Sequence, residues 1–129
     1  MFILKKGTCV QLSENFDSGH FDCRCELPTC RETLVHPSLL DGLEEIIEET
    51  KEIQITSGFR CPIWNKEIGG KTGSYHLIGR AADIKHPTLT TLELKRIVLN
   101  IPVFLNGGVG YGPDFIHIDT RGHAARWSY

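Results

Sequence analysis

The chain has 129 residues, which suits one domain around one core, taken here as residues 1–129. Hydrophobic residues make up 40% and charged residues 23%, and the formal net charge of -2 gives no electrostatic case for nucleic acid or an anionic membrane. No apolar run is long enough to span a membrane, and Met1-Phe2-Ile3-Leu4-Lys5-Lys6 puts its charge after too short an apolar stretch for a signal peptide, so synthesis in the cytoplasm is expected.

Residues 1 to 36 read as an irregular arm. Gly7, Ser13, Asn15, Asp17, Ser18, Gly19 and Pro28 interrupt any long periodicity, and Phe16 and Phe21 are expected to pin the arm to the core. Pro37 to Glu52 reads as an amphipathic helix. Leu39, Leu40, Leu43, Ile46 and Ile47 share one face, Pro37 suits the first turn, and the run of Glu44, Glu45, Glu48, Glu49 and Glu52 is a solvated face. Ile53 to Thr56 fits a short strand, and Pro62 to Ile68 a short helix stopped by Gly69-Gly70. A loop over Gly70 to Gly79 leads into a buried strand, Ala81 to Ile84. Thr90 to Asn100 is a second helix with Thr90 and Glu93 as a capping box and Leu92, Ile97 and Val98 toward the core. Gly107 to Tyr111 and Phe115 to Thr120 read as strands joined by the turn Gly112-Pro113-Asp114. This order predicts an α+β domain.

The cysteines are Cys9, Cys23, Cys25, Cys30 and Cys61. An odd count argues against a fully paired disulfide scaffold. Cys23, Cys25 and Cys30 cluster in a turn-rich stretch. With Cys61 as a fourth thiolate they could hold a structural metal, form disulfides in an oxidising setting, or remain reduced, partly buried thiols; the spacing C-x-C-x4-C is not a common zinc pattern.

Two segments carry chemistry: Ser74 to Asp83, and Asp114 to Asp119. In the second, His117 and Asp119 share one face of a strand while Ile116 and Ile118 take the other. In the first, Asp83 stands in an apolar strand, where a lone carboxylate is costly unless a metal or a cation accompanies it. His76 enters from the adjoining loop. Two imidazoles and a carboxylate, with the spare carboxylate Asp114 three residues before the second imidazole, are the set a zinc hydrolase needs: three ligands and a separate base. His20, His36, His86 and His123 read as surface or hydrogen-bonded histidines. Gly107-Gly108-Val109-Gly110 lacks the lysine and helix start of a phosphate loop.

The pattern Ser74-x-His76-x-x-Gly79-x-Ala81-x-Asp83, then Asp114-x-x-His117-x-Asp119, resembles the zinc D-Ala-D-Ala carboxypeptidase family. That family includes phage L-Ala-D-Glu endopeptidases and the vancomycin-resistance D-Ala-D-Ala dipeptidases, and the amino-terminal domain of Hedgehog proteins shares its fold. Ser57-Gly58-Phe59-Arg60-Cys61-Pro62, Asn65, Gly69-Gly70 and Arg121 to Trp127 also look like its single-domain branch. The resemblance runs from about Phe16 to the carboxyl end. It implies a Hedgehog/DD-peptidase-like fold, a central antiparallel sheet flanked by helices with the zinc site at the sheet. It implies one catalytic Zn2+ held by His76, Asp83 and His117, with Asp114 as general base and acid, where some relatives use Glu. Arg60 would contact substrate or the developing oxyanion, Ser74 would hydrogen-bond substrate, and Asp119 would orient a ligand imidazole. The implied activity is hydrolysis of peptidoglycan stem peptides by a monomer acting at the bacterial cell wall. A D-Ala-D-Ala carboxypeptidase stands first, ahead of an L-Ala-D-Glu endopeptidase of phage or prophage origin and a non-catalytic zinc-containing binding or phage structural module.

Overall fold

A computed structural model describes residues 1–129. In chain order its elements are β1 (Phe2–Lys5), β2 (Glu32–Val35), α1 (Pro37–Thr50), β3 (Gln54–Ser57), α2 (Pro62–Glu67), β4 (Ala81–Lys85), α3 (Thr91–Val98), α4 (Pro102–Leu105), β5 (Gly108–Tyr111), β6 (Ile116–Asp119) and β7 (Ala125–Ser128), with 3-10 turns at Ser18–Phe21 and Tyr75–Ile78. Local chemistry accounts for most boundaries. Pro37 opens α1 behind a His36 cap, and Thr90 and Glu93 form the expected capping box on α3.

Five strands form the main sheet in the order β3-β4-β6-β5-β7. The first three pairings are antiparallel, but β7 lies parallel to β5, with Gly110 opposite Trp127, so the central sheet is mixed rather than wholly antiparallel. Along β4 and β6, Ala82, Ile84, Ile116 and Ile118 enter one buried cluster with Leu39, Leu43 and Ile46 of α1, Leu94 and Val98 of α3 and Phe104 of α4. The intervening Asp83, His117 and Asp119 therefore face the other side of the sheet. In α3, Leu94 rather than Leu92 or Ile97 joins Val98 in the core, and Leu92 is exposed.

The amino-terminal arm is more regular than its composition suggests. β1 pairs antiparallel with β2 in a separate sheet, Phe2 opposite Val35 and Lys5 opposite Glu32. Those partners lie far apart in sequence, so no local turn announces them. Phe16 and Phe21 are buried in the core cluster as expected.

Gly79 is the hinge between the loop turn and β4. It closes the Tyr75–Ile78 turn at φ 72°, and a Cβ there would lie 2.5 Å from the carbonyl oxygen of Leu34. Its own carbonyl accepts from the backbone N–H of His36 at 2.8 Å. Both the left-handed backbone and the close approach demand glycine. Gly79→Ala should cost about 1–3 kcal/mol, read as a lower urea midpoint; an unchanged midpoint would show that the turn relaxes freely.

A candidate metal centre on the polar face of the sheet

Antiparallel pairing sets Asp83 of β4 directly opposite His117 of β6. His76 reaches the same point from the 3-10 turn, whose start is capped by Ser74: its Oγ accepts from the backbone N–H of His76 at 3.2 Å. Asp83 Oδ1 then lies 3.2 Å from His76 Nε2 and 3.1 Å from His117 Nδ1. The three candidate ligand atoms all fall within 4.8 Å of one another.

The far nitrogen of each ring is also engaged. His76 Nδ1 donates to the carbonyl oxygen of Gly58 at 2.6 Å, and His117 Nε2 donates to Asp119 Oδ2 at 2.8 Å. A carbonyl can only accept, so the His76 proton sits on Nδ1 and leaves the Nε2 lone pair directed at Asp83. The Asp119 carboxylate fixes His117 in the opposite tautomer. Oriented imidazoles whose outer nitrogens are hydrogen-bonded are the usual support of a histidine metal site, and an N,N,O donor set with room for a water fits zinc.

Electrostatics follow from burial and pairing. Burial holds the His76 pKa below the ordinary imidazole value, against the pull of Asp83, which favours the neutral, ligating form. Burial also pushes His117 down, but its hydrogen bonds to Asp119 and Asp83 outweigh that and raise it. For Asp83, burial favours the protonated acid, yet hydrogen bonds and charge from His117 and His76 hold it well below the usual carboxylate range. Arg60 adds a direct ion pair, Nη2 to Asp83 Oδ2 at 3.1 Å. Its remaining donors are spent on Ser57 Oγ at 3.0 Å and Asn65 Oδ1 at 3.2 Å, so the guanidinium is fixed.

These groups floor a cleft of about 660 Å³, walled by Ile68, Lys71, Tyr75, Phe115, Arg121, Trp127 and Tyr129. The Trp127 ring centroid is 5.1 Å from that of His117, and Arg121 stacks on Tyr75 and Trp127 while binding Asp119 at 2.7 Å. Glycines in β5 make room behind: a Cβ on Gly108 would overlap the Asp119 carboxylate, and one on Gly110 the Trp127 indole.

The structure thus brings together His76, Asp83 and His117, with Arg60, Ser74 and Asp119 around them. It does not bring Asp114 into the cleft. The Asp114 side chain is 70% exposed on the turn before β6 and pairs with Lys85 Nζ at 3.4 Å. Lys85 alternates with Ile84 in β4 and so shares a face with Asp83, which places Asp114 at the rim of that face. Gly58, Tyr75, Arg121 and Tyr129 were not singled out by their residue types: Gly58 acts through its backbone carbonyl, and the other three join the cleft only through the folding of the 68–75 loop and the carboxyl-terminal segment around the sheet. Cys23, Cys25, Cys30 and Cys61 converge elsewhere, outside the cleft lining.

The Asp119 contact has a measurable weight. Asp119→Asn keeps the shape and removes the charge that orients His117. Zinc affinity should fall about 10–100-fold in competition with a chelating dye, with an unchanged far-ultraviolet spectrum. Equal affinity would mean that Asp119 serves the fold alone.

Residues 14–119 match the family described as Peptidase M15. The span holds all three candidate ligands together with Arg60, Ser74, Asp114 and Asp119. No curated protein matches the chain, and no solved structure does. A match over most of the chain, closing on a histidine–aspartate–histidine cluster at a sheet face, settles the assignment: the chain belongs to the peptidase M15 family, zinc metallopeptidases that act on peptidoglycan.

Proposed function

We propose that the protein is a D-Ala-D-Ala carboxypeptidase that removes the terminal residue from peptidoglycan stem peptides at the bacterial cell wall. The observation that carries the reading is Lys71. Three cations line the cleft, and two are committed: Arg60 to Asp83 at 3.1 Å and Arg121 to Asp119 at 2.7 Å. Lys71 has no carboxylate partner, and its ammonium stands 6.0 Å from the Trp127 ring. A free ammonium at the edge of a metallopeptidase cleft suits the one charged group an exopeptidase substrate must present, its terminal carboxylate.

His76, Asp83 and His117 would hold the zinc, which supplies Lewis-acid polarisation of the scissile carbonyl and an activated water. Arg60, immobilised by three partners, keeps Asp83 in place and presents positive charge where the oxyanion develops. The Ser74 oxygen already accepts from His76, which leaves its O–H to donate to substrate. Asp83 and Asp119 are fully engaged, and Asp114, which the resemblance gives as general base and acid, is the remaining carboxylate at the rim, so it is assigned as the proton acceptor. Gly69 and Gly73, both in the lining, keep the wall low enough for a small D-residue.

Purified muropeptides should lose a single terminal alanine by mass spectrometry, and chelator should abolish the loss. Lys71→Ala should raise KM about tenfold for the free acid and leave a C-terminally amidated peptide unaffected. Release of an intact stem from L-Ala would instead identify an endopeptidase, and metal-loaded protein that binds without cutting would identify a binding module.

The base assignment is tested separately. Asp114→Asn should keep its zinc and lose about 10²–10⁴ in kcat. A kcat close to wild type would remove Asp114 from the chemistry and leave it as a turn residue paired to Lys85.

A further inference from the structure

Away from the cleft, Cys23, Cys25, Cys30 and Cys61 bring their four Sγ atoms within 4.8 Å of one another. We propose that they hold one structural zinc ion through four thiolates.

The geometry is that of a single tetrahedral ion. Four sulfurs about 2.3 Å from one zinc lie roughly 3.8 Å apart. Cys61 Sγ is 3.8 Å from Cys23 Sγ and 3.9 Å from Cys25 Sγ. Two disulfides would draw the sulfurs into two bonded pairs, whereas Cys61 stands nearly equidistant from two partners and all the cysteines are free. An iron–sulfur cluster inserts several irons and sulfides between its cysteines and spreads them wider than one ion does.

Donors reach two of the four sulfurs. The backbone N–H of Cys61 points at Cys23 Sγ at 3.4 Å. Lys6 Nζ lies 3.4 Å from Cys25 Sγ and donates to the Cys25 carbonyl at 3.0 Å. Four thiolates around a divalent ion leave two net negative charges, which an ammonium and N–H donors offset; neutral thiols would gain little from them. Cys23 and Cys25 are buried, and Phe59, Leu34 and Trp64 pack around the cluster. Four ligands inside an apolar shell leave no open position, the mark of a structural site.

The placement gives the ion a purpose. Cys23, Cys25 and Cys30 belong to the amino-terminal arm, while Cys61 belongs to the loop that carries Gly58 and Arg60. Besides the Cys61 N–H to Cys23 contact, the two segments are tied by a backbone hydrogen bond from Phe59 N–H to Phe21 O at 2.9 Å and by Arg24 Nη2 donating to the Ile55 carbonyl at 3.2 Å. A tetrathiolate ion would clamp the arm to the loop that orients His76 and pairs with Asp83.

Metal content and spectra test this without reference to which bond is cut. The full chain, purified under reducing conditions without chelator, should contain two zinc ions by elemental analysis. Cys23→Ser/Cys25→Ser should contain one, and His76→Ala/His117→Ala should also contain one. Cobalt replacement should give an intense thiolate-to-cobalt charge-transfer band in wild type and in the histidine variant, and none in the cysteine variant. Should the cysteine variant not fold, the wild type still decides: titration with a mercurial should release one zinc in step with thiols beyond the exposed Cys9. One zinc per wild-type chain, lost in the histidine variant, would overturn the proposal. So would iron in place of zinc, or a non-reduced mass showing two disulfides.

Discussion

Asp83 faces His117 because β4 and β6 pair antiparallel in the register that also sets Ala82 against Ile118. The constraint is the two-residue period of a strand. A slip of one strand by one residue would send Asp83 or His117 into the apolar core and turn Ile84 or Ile118 toward the cleft, a loss on both faces at once. The hydrophobic core therefore enforces the geometry of the polar site from the opposite face of the sheet.

A carboxylate so deeply placed survives because each of its oxygens is claimed. Oδ2 takes the guanidinium of Arg60 and Oδ1 faces the two imidazoles. The imidazoles are held from behind by a carbonyl and a second carboxylate, and that carboxylate is anchored in turn by Arg121 and by the backbone N–H of Gly108 at 2.8 Å. Such a chain of charge-assisted contacts is high-stakes: complete, it fixes ring orientation, and a break leaves a buried charge without compensation. Glycines at 108 and 110 follow from it, since the carboxylate and the Trp127 indole occupy the space a side chain would need.

Much of this was legible in the residues. Alternation in Phe115 to Thr120 separated His117 and Asp119 from the isoleucines, the apolar stripe of α1 marked its buried side, and the Thr90–Glu93 box marked the start of α3. These signals are local, carried within a turn or a strand. What the residues concealed is non-local. The β1–β2 pairing joins positions 27 to 33 residues apart, and β7 adds parallel to β5 through a connection with no hairpin signature. The carbonyl of Gly58 is a backbone atom and leaves no trace in side-chain identity. Asp114 shows the same limit from the other direction: three residues from His117 in sequence, it sits at the rim in space, because alternation gives the cleft to Phe115 and His117.

The alternation along β4 and β6 also divides the protein's variability. Ala82, Ile84, Ile116 and Ile118 pack the core, Asp83, His117 and Asp119 take the polar face, and the cleft walls come from the 68–75 loop and the carboxyl-terminal strand. A lineage could recast those walls, and with them the peptide accepted, while the paired strands go on presenting the same three side chains. The shape of the cleft and the stability of the fold are in that sense carried on separate residues.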